Sequence, residues 1–162
     1  MTVVWITGLS GAGKSTTAKK LAHKTKEMIG PTILLDGDEI REILGKSAKN
    51  ESSTTRDERL KLALQYARLS RLISEQGIIV IVATISMFNE VYEWNRKYIK
   101  NYLEVYLKVD IEELERRDPK GIYRKFRSGL TTNVAGKDLK VDIPQHPDLV
   151  IDYKEYPGPD IA

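Results

Sequence analysis

Gly8-Leu9-Ser10-Gly11-Ala12-Gly13-Lys14-Ser15 lies almost at the start of the chain. This spacing of glycines, lysine and serine is that of a phosphate-binding loop. Glycine admits the backbone angles that let successive N–H groups converge on one anion. The N-terminus of a following helix adds a favourable dipole. Lys14 is placed to reach the β- and γ-phosphates of a nucleoside triphosphate, and the Ser15 hydroxyl to bind Mg²⁺. Such a loop requires a strand before it and a helix after it, and Val3-Val4-Trp5-Ile6 and the stretch from Thr16 to Ile29 supply both. The bland alternative, a glycine-rich turn between strand and helix, leaves that full context unexplained.

Thr32 to Arg41 reads T-I-L-L-D-G-D-E-I-R, an apolar run ending in Asp36, with Asp38 two residues on. Carboxylates at the C-terminal edge of a parallel sheet lie beside the phosphate loop, where ligands bind. One can hold a water of the Mg²⁺ shell, and the other can orient or deprotonate an attacking hydroxyl. Asp36-Gly37-Asp38 also reads as a turn with a helix N-cap, and the two roles are compatible.

Arg117-Asp118-Pro119-Lys120-Gly121 opens a basic, glycine-punctuated stretch running to Pro147. A long loop of this kind in a compact domain is expected to be a functional lid or disordered, and its lysines and arginines favour a lid over phosphates. Asp118 to Gly121 matches the D-x-x-G of a GTPase switch only superficially, because no N-K-x-D guanine-reading motif occurs anywhere. Ile85-Ser86 follows the most apolar run of the chain. By type and position, Ser86 could touch a phosphate or cap the next helix.

Short apolar runs alternating with longer amphipathic ones signal an α/β domain with a parallel sheet. The expected strands are 3–7, 32–35, 78–83, 103–109 and 149–151, and the third is continuously apolar, as a strand buried on both faces must be. The expected helices are 14–29, 39–44, 56–76, 88–100 and 111–116. The longest carries Leu60, Ala63, Leu64, Ala67 and Leu72 on one broad face. Gly45–Thr55 reads as a polar loop, and Pro157 and Pro159 mark a tail. No repeat or domain boundary is visible, so residues 1–162 read as one domain.

The chain has 162 residues, enough for one full core. No apolar run approaches a membrane span, no cleavable leader is visible, and the cytoplasm is the expected location. With no cysteine, a disulfide scaffold and a thiol nucleophile are excluded. His23 and His146 are isolated and read as surface residues rather than metal ligands. A net charge of +3 and a pI of about 9.0 suit a small polyanion such as a nucleotide. Nucleic acid is not expected, since no basic stripe interleaved with aromatics appears.

Taken together, G-L-S-G-A-G-K-S-T, L-D-G-D-E-I-R, I-S at 85–86 and R-D-P-K-G-I-Y-R-K at 117–125 resemble the adenylylsulfate kinase family. These P-loop kinases use ATP and Mg²⁺ to phosphorylate the ribose 3′-hydroxyl of adenosine 5′-phosphosulfate. The resemblance runs from about Val3 to Ile151. It implies the P-loop NTPase fold, a central parallel sheet of about five strands with helices on both faces, and a homodimer. It implies that Gly8, Ser10, Gly11, Ala12, Gly13, Lys14, Ser15 and Thr16 bind ATP phosphates and Mg²⁺, with Asp36 near the metal. Asp38 would meet the acceptor hydroxyl, and Arg41, Arg59, Ile85 and Ser86 would bind the acceptor. Ser86 also matches the serine that carries phosphate in some relatives. Arg117 would flank the ATP base, Lys120 would contact phosphates, and the lid would span about 117–140.

The departures from the family pattern concentrate on the acceptor side. The phenylalanine expected before the long helix is missing from S-S-T-T-R-D-E-R. Leu62 stands for an asparagine, Leu64 and Gln65 stand for paired arginines, Val134-Ala135-Gly136 for F-T-G, and Ile85-Ser86-Met87 for I-S-P. In the family the two missing phenylalanines clamp the acceptor adenine. A base–aromatic stack is worth about 1–3 kcal/mol, so losing both costs about 2–6 kcal/mol, or roughly thirty-fold to over ten-thousand-fold in affinity. Phe88, Tyr92 and Trp94 are the aromatics that could replace one contact. The stretch I-S-M-F-N-E-V-Y-E-W-N-R resembles a branch that phosphorylates the ribose of cytidine diphosphoramidate in capsule biosynthesis. Adenylylsulfate and the cytidine compound are thus both open as acceptors. A nucleotide-binding module that has lost catalysis is the non-enzymatic alternative, opposed by the retention of Lys14, Ser15, Asp36, Asp38 and Lys120.

Overall fold

The computed structural model describes residues 1–44 and 55–155. The expected polar loop, apart from Thr55, and the proline-bearing tail lie outside them. The described chain forms β1 (Val3–Thr7), α1 (Lys14–Met28), β2 (Thr32–Asp36), α2 (Gly37–Ile43), α3 (Arg56–Glu75), β3 (Ile79–Ala83), α4 (Asn89–Tyr98), β4 (Tyr102–Lys108), α5 (Ile111–Arg117), α6 (Ile122–Arg127) and β5 (Leu149–Asp152).

All five strands are parallel, in the order β2-β3-β1-β4-β5. Every β3 side chain is buried, which explains its unbroken apolar sequence. Alternation of side chains along the strands divides the core in two. Val3, Trp5, Val80 and Val82 meet Leu62, Ala63, Tyr66 and Ala67 of α3 and Val91 of α4. On the other face, Ile6, Ile81, Ala83, Val105 and Leu107 meet Ala18 of α1, Leu114 of α5 and Tyr123 of α6. Helices therefore cover both faces of the sheet.

The element starts follow from local chemistry. Asp36 accepts the Asp38 N–H at 2.9 Å and caps α2. Because this cap lies at Asp36, the helix begins at Gly37, two residues before the expected start. Thr55 and Glu58 form a reciprocal capping box at the start of α3. The chain passes from β1 into the phosphate loop at Gly8, where φ is +152° and an added Cβ would lie 2.7 Å from the Leu107 carbonyl oxygen. No side chain fits so close to the β4 backbone.

The stretch from Asp118 to Pro147 is not the continuous loop its composition suggested. It contains α6, and Tyr123, Val134 and Ala135 are buried. Asp138 accepts the N–H groups of Asn133 and Val134 at 2.8 and 2.7 Å and shapes the turn there. Gly136 sits against Leu9 so closely that a Cβ would lie 2.9 Å from its Cδ1, and its φ of +82° is one that glycine alone adopts readily. The sequence signal for packing was the apolar pair Val134-Ala135, masked by the surrounding glycines and charges.

Candidate active site

At the C-terminal edge of the sheet lies a cavity of about 540 Å³. It contains the phosphate loop (Ser10, Gly11, Gly13, Lys14, Ser15, Thr16), the β2–α2 junction (Asp36, Asp38, Arg41) and the α5–α6 turn (Arg117, Pro119, Lys120). Its size lies in the range of small-molecule sites. Gly8 and Ala12 are not in the lining. Gly8 sets the entry from β1, and Ala12 is buried against the core.

The loop is braced from below. Lys14 Nζ donates to the Leu9 carbonyl at 2.8 Å, and the Tyr123 hydroxyl donates to the Ser10 carbonyl at 3.0 Å. Burial, then the positive charge of Lys120, pushes the Lys14 ammonium down to about 7, against partial support from Asp38 and Asp36. A bound polyphosphate supplies the missing negative charge and restores the ammonium form.

The Ser15 hydroxyl donates to Asp36 Oδ2 at 2.5 Å, and Asp36 is buried. A hydroxyl beside a buried carboxylate, next to a cradle for phosphate, is a hard-oxygen donor set that fits Mg²⁺ held partly through water. Asp38 reaches into the cavity and pairs with both Arg41 and Lys120. Partial burial alone would raise its carboxyl. The Lys120 hydrogen bond and the charges of Arg41, Lys120 and Lys14 outweigh burial and hold it below the ordinary carboxylate range. Asp38 is therefore an ionised hydrogen-bond acceptor at neutral pH.

The remaining expected residues divide. Ile85 lines the cavity. Ser86 does not; it is buried at a φ of +23°, with its hydroxyl 2.7 Å from that of Thr84. Arg59 is also outside the lining, and its Nη2 donates to the Asn133 carbonyl at 2.8 Å. Phe88 is buried beneath the Arg56 guanidinium, Tyr92 is buried with its hydroxyl donating to the Asp142 carbonyl, and Trp94 packs against Tyr98. None of these three aromatics lines the cavity. Six lining residues were not foreseen as site residues from sequence: Gly37, Ala83, Thr84, Arg116, Pro119 and Tyr153. Tyr153 follows β5 at the sheet edge, and only that position could have flagged it.

A parallel sheet with a phosphate loop after β1, an acidic β2 end and a basic turn over the loop defines a P-loop kinase. The adenylylsulphate kinase family model matches residues 1–152, and the chain belongs to that family. It is 46% identical over 149 residues to a cytidine diphosphoramidate kinase of Campylobacter jejuni, covering 92% of this chain and 84% of that protein. It is 41% identical over 152 residues to an adenylyl-sulfate kinase of Pseudomonas aeruginosa, covering 93% and 76%. The structure of the Mycobacterium tuberculosis APS kinase in complex with AMPPNP and APS superposes with a TM-score of 0.83 at 32% identity, covering 93% of this chain and 87% of that one. The protein is a nucleotide kinase.

Proposed function

We propose that this chain, acting as one catalytic domain, transfers the γ-phosphoryl group of ATP to a ribose hydroxyl of cytidine diphosphoramidate. The observation that carries the transfer is the placement of ionised Asp38 in the same cavity as Lys14, Ser15 and Asp36. The triphosphate lies along Gly11–Thr16, with Lys14 against its β- and γ-oxygens. Ser15 and Asp36 are the residues that would hold Mg²⁺, which supplies charge neutralisation at the transferring group. Asp38 accepts a hydrogen bond from the acceptor hydroxyl and fixes its oxygen for in-line attack. Its depressed affinity for protons makes orientation its contribution, with strong base action reserved to the transition state. Lys120 and Arg41, already on Asp38, are within reach of phosphoryl oxygens as charge moves to the leaving group.

Three observations favour cytidine over adenylylsulfate. The Campylobacter relative is more similar than the Pseudomonas one. Leu62, which stands where adenylylsulfate kinases have asparagine, is buried in the core against α3's neighbours. Phe88, Tyr92 and Trp94 are all engaged elsewhere, so none rebuilds the adenine clamp. ADP release is the test, comparing the two acceptors at low micromolar concentration with ATP and Mg²⁺. Turnover of the cytidine compound alone is expected. Rapid turnover of adenosine 5′-phosphosulfate alone overturns the acceptor and places the enzyme in sulfate activation. No turnover of either supports the non-catalytic reading.

We take the working form to be a homodimer in the cytoplasm. Sedimentation analysis at micromolar concentration checks the dimer. No helix among the described residues is long and apolar enough to cross a membrane.

A further inference from the structure

We infer that Tyr66 is a positioning residue for phosphoryl transfer: from α3 its hydroxyl holds the Gly37 peptide, and together with Thr84 it fixes the turn that carries Asp38. This inference rests on the proposed role of Asp38 as the group that orients the acceptor hydroxyl.

The Asp38 carboxylate pairs with Arg41 and Lys120. Both partners are long side chains, and neither sets the path of the Asp38 backbone. That path is set within Asp36-Gly37-Asp38. Asp36 is the first anchor. Its Oδ1 accepts the Asp38 N–H at 2.9 Å, and its Oδ2 accepts the Ser15 hydroxyl at 2.5 Å.

Gly37 is the second anchor. It is buried and lines the cavity. The pairing of Asp36 with Ala83 brings the ends of β2 and β3 side by side. A Cβ at position 37 would therefore lie 3.0 Å from Thr84 Oγ1, 3.3 Å from Thr84 Cβ and 3.4 Å from the Ala83 carbonyl oxygen. Glycine is needed here for space. Thr84 is itself held, with its hydroxyl 2.7 Å from that of Ser86.

Tyr66 meets the same peptide from α3. Its hydroxyl donates to the Gly37 carbonyl at 3.4 Å, a long hydrogen bond. The residue is 2% exposed, and Leu62, Ala63 and Ala67 are buried with it on α3. Burial pushes the phenol up to about 12; the charge of Arg41 opposes this, and those of Asp38 and Asp36 add to it. The hydroxyl thus keeps its proton at neutral pH and stands near enough to these groups to feel their charges. The core needs only the ring, which phenylalanine would supply equally. The polar end of a buried tyrosine is there for a partner, and that partner is the peptide between the two carboxylates.

The test uses the full chain. Steady-state kinetics with MgATP are measured on cytidine diphosphoramidate and on adenosine 5′-phosphosulfate for the wild type, Tyr66→Phe, Gly37→Ala and Asp38→Asn. ATP dissociation constants and urea midpoints are measured alongside. Carbon-13 spectra of aspartate-labelled enzyme follow the Asp38 carboxyl, identified by its loss in Asp38→Asn. On the acceptor that the wild type uses, Tyr66→Phe should lower kcat about tenfold, because a misplaced orienting group costs rate. It should leave the ATP dissociation constant and the acceptor KM unchanged and shift the Asp38 resonance. Gly37→Ala should lower kcat by about tenfold or more, by pressing on Thr84. A wild-type kcat or an unmoved Asp38 resonance in Tyr66→Phe overturns the inference, whatever the urea midpoint, and leaves the tyrosine a core residue. A loss carried by ATP affinity overturns it as well. Normal kcat in Asp38→Asn overturns the role of Asp38 itself, and the inference with it. A wild type inactive on both acceptors overturns both.

Discussion

At the residue scale, Lys14 and Asp38 do opposite work in one cavity. Lys14 is a cation that burial and Lys120 push toward neutrality, whereas Asp38 is a carboxylate that its neighbours hold ionised. Lys14→Ala should abolish phosphoryl transfer while leaving the urea midpoint close to wild type. A variant with normal turnover would remove Lys14 from the mechanism. Asp38→Asn should lower kcat by about a hundredfold or more with ATP affinity unchanged or tighter, because a negative charge leaves a basic cavity. A loss expressed mainly in ATP affinity would contradict the assigned role. The depressed Lys14 value also sets a pH dependence. In the free enzyme the ammonium is lost as pH rises through about 7, and bound polyphosphate shifts that loss upward. ATP affinity should therefore fall as pH rises above about 7, and binding near pH 8.5 should take up a proton. Calorimetry in two buffers of different ionisation enthalpy measures the uptake; no uptake would mean that Lys14 is already charged before ATP arrives.

At the element scale, the phosphate loop is held as much from α6 as from β1. Tyr123 is buried, and its hydroxyl donates to the Ser10 carbonyl. Tyr123→Phe should lower unfolding free energy by about 1–3 kcal/mol through the lost hydrogen bond. It should also weaken ATP, because the loop carbonyl is no longer held. Unchanged ATP binding would show that the loop keeps its shape without this support. β3 carries the sheet. Ile81 is fully buried between the two covering layers, and Ile81→Ala should cost about 2–5 kcal/mol in urea unfolding. A cost under about 1 kcal/mol would mean that the core collapses readily around the gap.

At the scale of the whole molecule, a net charge of +3 is a weak cue, but the fold concentrates its effect. Lys14, Arg41, Arg116, Arg117 and Lys120 face one cavity whose lining, among the described residues, has Asp36 and Asp38 as its carboxylates. Such a cavity attracts a polyphosphate over a distance set by ionic screening. Raising ionic strength from about 0.05 to 0.5 M should weaken ATP about tenfold with little change in the thermal midpoint. Salt-independent affinity would mean that short-range contacts dominate.

The phosphate loop, the acidic end of β2 and the strand–helix alternation were legible in the sequence because each rests on local rules: glycine conformations, N-capping, and the periods of strands and helices. Family membership was legible for the same reason, since R-D-P-K-G-I-Y-R-K is contiguous. What only the tertiary structure decided depends on contacts between distant segments. One outcome is local: Ser86, which could by type have faced a phosphate, is buried at a positive φ with its hydroxyl 2.7 Å from that of Thr84; the others join distant segments. Arg59 meets Asn133, the stretch read as a lid packs on Leu9 and Ser10, and Tyr153 lies under Arg117. These pairs are separated by tens of residues in sequence, and no local periodicity encodes which of them meet. Packing the two helical layers on one twisted sheet brings them together.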